Sequence, residues 1–376
     1  MIQINSILDA YIDANLLLIF AFSMWIVVRF LVAKLGMSHA YTTQLKLLNG
    51  VFLAVALSPF FVFGFGQILQ SGVVSNEFSL NLSDFVLAQY LNGSIEMKPT
   101  QFENILGMRD AFTDNLLGLK TTTSIVIAAF LASGFAAVVT RTTLSVIRLR
   151  RIIRNSFAWR RFGNIHLLLS DTTHVPFSTR SLRKHFIVIP SGMLAQNDDL
   201  RMALGHEFQH LRQGDIEWEI TLEMLKPLFF WNPAFLFWKR QVEHLRELTC
   251  DQQVLSRKGY DVQAYCECLL RVCHNSLRKT NRLQIIVPSV AFVQVDRSLF
   301  GSQSVRFLRH RMTSLFDADL GDRYNKSFRL LLVPLMGIII LTSLAIQKPN
   351  DWSQDRIMLS TIINLERLDV RNSLGQ

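Results

Sequence analysis

Apolar and polar positions alternate along the chain in long blocks. Crossing a bilayer by helix takes about 20 mostly apolar residues, because every backbone polar group must find its partner inside the segment. Three stretches meet that length, at roughly 16–35, 47–69 and 121–144. A fourth, 330–346, is the shortest credible span. Four such blocks in one chain, with charge sorted between them, argue against a set of buried soluble-protein helices.

Basic residues orient the spans. Before the first lie Asp9 and Asp13, without Lys or Arg, which also argues against a cleaved secretory leader. Between the first and second stand Arg29, Lys34 and Lys46, without an acid. Residues 70–117 carry six acids against Lys98 and Arg109. Residues 141–161 then carry seven arginines and no acid. The alternation predicts both termini and the 70–117 loop on the outer side. It puts the long segment 145–329 inside. The loop has room for an amphipathic helix or two; the alternation at Phe78, Leu80 and Leu82 is too weak to assign. The tail 347–376 is too short for a sensor domain.

Inside segment 145–329 the periodicity changes. Ile165–Leu169 is a short apolar run; Val175–Phe177 and His185–Ile189 flank a basic turn, Ser178–Lys184, a pattern that predicts a hairpin or small sheet. From Leu194 the pattern is helical. Asn197, Asp198 and Asp199 form its start and Gly214 its stop. The stretch Met224–Trp238 is aromatic and broken by Pro227 and Pro233, too short to span, and suits an interfacial segment. Gln241–Leu255 reads as a second amphipathic helix. Ser298–Phe316, with Arg306, Arg309 and Arg311, reads as a plain basic juxtamembrane helix leading to the fourth span, with a membrane-surface element or a self-cleavage site as the alternatives.

Composition agrees with this layout. Half of the 376 residues are apolar and 18% are charged, below the quarter usual in soluble domains. Disorder is excluded, and four cysteines exclude a disulfide scaffold. The net charge of +10 resembles a nucleic-acid footprint, but the arginine run sits beside a span and lacks a reader motif. It reads as an anchor to anionic lipid, so the partner is the bilayer and no direct nucleic-acid contact is expected. Cys266, Cys268 and Cys273 lack paired CxxC spacing and read as core packing.

The chemistry lies in His206-Glu207-Phe208-Gln209-His210. Residues i and i+4 share a helical face, so both imidazoles can hold one Zn²⁺ while Glu207 acts as general base. A third ligand must come from elsewhere. Glu217, Glu219 and Glu223 follow the motif too closely. Glu247 and Asp251 stand one turn apart on the second helix and can serve as a ligand and as a partner for a ligand imidazole. Glu247 is favoured; Glu243 and His244 remain open. Asp215 can orient a ligand histidine or close the turn.

HExxH, Asp215, Trp231-Asn-Pro with Trp238, and Arg246-Glu-Leu-Thr-Cys-Asp251 together resemble the BlaR/MecR-type membrane zinc peptidases. The likeness covers roughly residues 15–347. It implies a mainly α integral membrane protein with four transmembrane helices and an inserted cytoplasmic α+β gluzincin-like domain. Its parts are 1–144, 145–329, 330–346 and 347–376. It implies His206, His210 and Glu247 as Zn²⁺ ligands, Glu207 as base and Asp251 as the outer partner. It also implies that the His185–Pro190 strand, through Phe186 and Val188, pairs with an extended substrate. The location implied is a bacterial inner membrane. The activity implied is limited proteolysis of a cytoplasmic protein, typically a transcriptional repressor, or of the protein itself. The sensor-transducers of this type carry a large penicillin-binding domain after the fourth span. Only the short tail follows here, so β-lactam sensing is not implied. The rival readings are a protease of the heat-shock or prenyl-processing type and a non-catalytic receptor or scaffold with a structural zinc.

Overall fold

The computed structural model describes residues 4–34, 39–70, 82–181, 183–257, 260–278, 290–291, 301–317, 325–346 and 354–373. The chain forms two compact units. One takes residues 1–26, 47–132 and 328–376, the other residues 27–46 and 133–327.

The long apolar blocks are helical. They form α1 (Ile4–Lys34), α2 (Tyr41–Gln70) and α6 (Thr122–Asn155). Each contains a stretch long and apolar enough to cross a membrane. The fourth block lies in α12 (Asn325–Ile346), whose apolar part, Leu330–Ile346, is shorter.

The 70–117 segment holds three short helices: α3 (Leu82–Leu91), α4 (Pro99–Leu106) and α5 (Met108–Gly118). Of the weak Phe78–Leu82 alternation, residues 78–81 lie outside the described residues. The tail is not structureless: Gln354–Ser373 is a helix, α13. Its Leu359 and Ile363 bury with Leu87 of α3 and Phe102 of α4. Glu366 accepts from the Thr100 amide at 3.0 Å, and Arg367 pairs with Glu103 at 2.6 Å. In the same unit Arg109 of α5 reaches back to Asp9 (3.2 Å) and Asp13 (2.8 Å) of α1.

The second unit is built around a sheet of β1 (Phe157–Phe162), β2 (Ile165–Ser170), β3 (Phe177–Arg180), β4 (His185–Pro190) and β5 (Val290–Ala291). Strand order is β1-β2-β4-β3-β5, with only β2 and β4 parallel. Alternation along the strands sorts side chains to two faces. Leu167, Ile187 and Ile189 face Leu200 of α7 (Asn197–Gln213). Leu168, Phe177 and Val188 face Leu149 near the end of α6.

One strand here goes unannounced by the sequence, and one sequence expectation fails. β1 contains Arg160 and Arg161, read above as part of the lipid-facing arginine run. The strand is nearly all exposed, so it shows no alternation to betray it. The substrate strand is also misplaced. His185–Pro190 is central, with its backbone paired to β2 on one side and β3 on the other. Val188 is fully buried, and Phe186 packs with it on the face turned to α6, opposite α7. Val188 is thus enclosed, and the partly buried Phe186 lies on the face opposite the motif helix.

Beyond α7 the unit continues with α8 (Asp215–Phe229), α9 (Pro233–Leu255), α10 (Val262–Arg278) and α11 (Gly301–Asp317). Gly214 takes a left-handed φ of 74° and its N–H caps the His210 carbonyl, ending α7 and letting α8 start at the next residue. Asn232 caps α9 by accepting from the Ala234 amide at 3.0 Å, with Pro233 in the first turn. The aromatic stretch 224–238 is therefore a helix–cap–helix junction. Phe235 and Trp238 are fully buried, while Met224, Leu228, Trp231, Leu236 and Phe237 are exposed.

A core of Met202, Cys250, Val254, Tyr265, Cys266, Cys268, Leu269 and Leu315 joins α7, α9, α10 and α11. Cys266 and Cys268 pack there as apolar side chains.

Candidate metal centre

The two motif histidines lie on the buried face of α7, and neither is exposed. Their Nε2 atoms are 2.9 Å apart. The outer nitrogens point to oxygen partners. His210 Nδ1 lies 2.7 Å from Asp215 Oδ2. His206 Nδ1 lies 2.8 Å from the Tyr265 hydroxyl and 3.3 Å from Asp251 Oδ1. Such partners fix the tautomer and aim each Nε2 lone pair at a shared point.

Glu247 of α9 brings a carboxylate to that point. Its Oε2 is 3.5 Å from His206 Nε2 and its Oε1 3.6 Å from His210 Nε2. Both oxygens are buried; Oε2 is ion-paired with Arg311 Nη1 at 3.1 Å, and Oε1 accepts no hydrogen bond among the described residues. Glu207 is likewise fully buried, and neither carboxylate oxygen is hydrogen-bonded among the described residues. Burial pushes its carboxyl above the usual range, against the pull of the two imidazoles. Buried, unsatisfied carboxylate oxygens facing two imidazole nitrogens are costly unless a cation sits between them. By that test the residues fit a divalent metal ion.

Cys250 is a further candidate donor. His206, His210 and Cys250 each offer a ligand atom within 4.8 Å of the others. Its sulfur, however, lies 3.5 Å from His206 Nδ1 and donates to the His206 carbonyl at 3.4 Å. That is the side of the ring away from the facing Nε2 pair. The other candidates on α9 are engaged elsewhere. Glu243 pairs with Lys239 at 3.3 Å, and His244 stacks on Phe307 with ring centroids 4.2 Å apart.

Around the centre lies a second layer that the sequence reading missed. Arg311 of α11 is buried and forks onto Asp251, Nε to Oδ2 and Nη2 to Oδ1, each at 2.7 Å. Its Nη1 is 3.1 Å from Glu247 Oε2. Burial alone would raise the Asp251 and Glu247 carboxyls; Arg311 holds both below their usual range. Arg311, read from the sequence only as one of the basic residues of a juxtamembrane helix, sits in the core. Tyr265 donates to Asp251 at 2.8 Å.

Behind His210, Glu219 of α8 accepts from Arg246 at 2.8 Å and Lys239 at 2.9 Å of α9, while Lys239 also bonds Glu223. Burial pushes the Glu219 carboxyl up, but the two cations more than offset it and hold it at about 2. Glu217 pairs with Arg180 of β3. The three glutamates nearest the motif are therefore committed to tying α8 to α9 and to the sheet.

Only Arg311 among these could have been suspected from sequence. It occupies a position where the helical spacing of Leu308, Met312 and Leu315 calls for an apolar side chain.

The chain thus combines helices long and apolar enough to cross a bilayer with a buried HExxH helix whose surroundings fit a metal ion. A model of the BlaR1 peptidase M56 family matches residues 10–291, and the chain belongs to that family. It is a membrane-associated peptidase, and a metallopeptidase by family. No curated protein matches the chain.

Proposed function

We propose that the chain is a zinc-dependent endopeptidase embedded in a bacterial inner membrane. It performs limited proteolysis of a cytoplasmic regulatory protein, repressor-like, or of itself, in signal transduction. The observation that carries this is the meeting of two imidazole Nε2 atoms, the Glu247 carboxylate and the buried Glu207, whose oxygens accept no hydrogen bond among the described residues. His206, His210 and Glu247 would hold the ion; the donor set of two nitrogens and one carboxylate suits Zn²⁺ and leaves a fourth position open.

When bound, the ion supplies Lewis acidity to the scissile carbonyl and to the attacking water. The chain's own groups do the rest. Glu207 takes the water's proton and returns it to the leaving amine. Asp215 keeps His210 in the Nδ1–H tautomer, and Tyr265 with Asp251 does the same for His206.

Four spans with the zinc domain inserted at 145–329, and both termini extracytoplasmic, remain the proposed topology. The division of the chain supports it. Residues 27–46 and 133–327, holding the segments expected inside, form one unit; the N-terminus, the 70–117 segment and the tail fall in the other. The exposed apolar side chains of 224–238 suit an interfacial position.

Self-cleavage has its own support. Val290–Ala291 pairs antiparallel with β3, at Phe177 and Ser178, on the sheet side that β4 leaves open. It also lies against α7, the helix of the motif. An extended substrate adding to β3 would take the same place.

The test is a proteome comparison of cells carrying wild type or Glu207→Gln. A fragment found only with wild type is expected. If Glu207→Gln still triggers the cell's response, the chain signals as a scaffold.

A further inference from the structure

Arg311 lies beyond the residues that the family model matches, yet it touches two carboxylates of the centre. A buried guanidinium is costly unless its donors are used. Here three are: two on Asp251 and one facing Glu247, residues one turn apart on α9. Asp251 Oδ1 also accepts the Tyr265 hydroxyl, which lies 2.8 Å from His206 Nδ1. One side chain therefore fixes the Glu247 carboxylate directly and the His206 ring through Asp251 and Tyr265. The rigid fork matters: a lysine offers a single ammonium and cannot span both carboxylates in this geometry.

The helix that carries it is seated by packing. Leu308, Met312 and Leu315 enter the core shared with α9 and α10, and Phe307 stacks on His244. The Ser314 hydroxyl donates to the Arg311 carbonyl at 2.8 Å. α11 ends at Asp317, and the fourth apolar helix begins at Asn325.

We infer that Arg311 is a positioning residue of the metal centre, through which α11 completes the ligand set. The inference rests on the zinc reading above. It means that the ligand geometry is complete only while α11 is seated. A displacement of the segment leading into the last apolar helix would thus loosen Glu247 and His206 without touching either.

The test uses the full chain in detergent micelles, stripped of metal, titrated with Co²⁺ and then with Zn²⁺ in competition. Arg311→Met keeps much of the volume, and Arg311→Lys keeps the charge. Both are expected to bind either ion about 10–100-fold more weakly, the usual cost of losing a residue that orients ligands. Both should also change the visible absorption of bound Co²⁺. Removing charge alone would act in the opposite direction, because a cation beside the ligands disfavours Zn²⁺. A weaker site is therefore the mark of lost orientation. Leu308→Ala, which trims core packing while Arg311 still holds α11 seated on the two carboxylates, should lower thermal stability and leave the Co²⁺ spectrum as in wild type. Circular dichroism verifies that each variant is folded, and Arg311→Lys decides the matter if Arg311→Met is not. Wild-type affinity and spectrum in the folded variants would overturn the inference. His206→Ala separates the two claims. If it loses the ion while the Arg311 variants bind as wild type, only the role of Arg311 falls. If it too binds as wild type, the zinc reading fails and the role of Arg311 with it.

Discussion

Replacing Glu219 by glutamine probes how α8 is fastened to α9 behind His210. The residue is 5% exposed, and its carboxylate accepts from Arg246 at 2.8 Å and Lys239 at 2.9 Å. Its folded form titrates near 2, against 4.5 ordinarily, because these two cations more than offset burial. That difference is worth about 3 kcal/mol to the ionised folded state. It agrees with the roughly 3–5 kcal/mol lost when one partner of a buried ion pair is removed. The contribution is fully present above about pH 4.5 and is lost as the pH falls through 2. Glu219→Gln should therefore lower the opening free energy of α8 and α9 amides at pH 7 by about 3 kcal/mol, read by hydrogen exchange. The acid slope of the thermal midpoint below pH 4.5 should flatten in the variant. A loss under about 1 kcal/mol, the worth of an exposed pair, with an unchanged acid slope would refute this account of the cluster.

Asp215→Asn replaces the acceptor facing His210 Nδ1 with a group that no longer enforces the tautomer. Chelator competition should find zinc held about 10–100-fold more weakly, with the fold intact by circular dichroism. Gly205→Ala would place a Cβ 2.5 Å from the Tyr260 hydroxyl, whose ring carries Arg201. Thermal unfolding should show a loss of about 1–3 kcal/mol from overpacking. The same substitution made in a Tyr260→Ala background should instead give a gain, because alanine favours the helix over glycine by about 1 kcal/mol.

Local signals in the sequence carried further than long-range ones. The α7 helix was legible from its acidic start at Asp198 and Asp199 and its glycine stop, and α1, α2 and α6 from hydropathy. The pairing of β4 on both edges was not, since alternation tells which face a residue occupies and nothing about strand order. β1 was hidden because Phe157–Phe162 does not alternate and its two arginines read as a continuation of the basic run after the third span. The tail helix α13 escaped because its apolar residues run around the helix, and the two that bury, Leu359 and Ile363, matter only once Leu87 and Phe102 are there to meet them. In the centre, HExxH and the Glu247–Asp251 pair stand out because helical spacing brings their members together. Tyr265 and Arg311 join from 14 and 60 residues beyond Asp251; helical spacing marks Arg311 as inward-facing but does not name its partners.

The central claim is a zinc ion held by His206, His210 and Glu247. X-ray absorption at the zinc edge of the purified, zinc-loaded chain tests it most directly. The account predicts a first shell of nitrogen and oxygen alone at about 2.0–2.1 Å. A sulfur scatterer at about 2.3 Å would place Cys250 in the ligand set and contradict it.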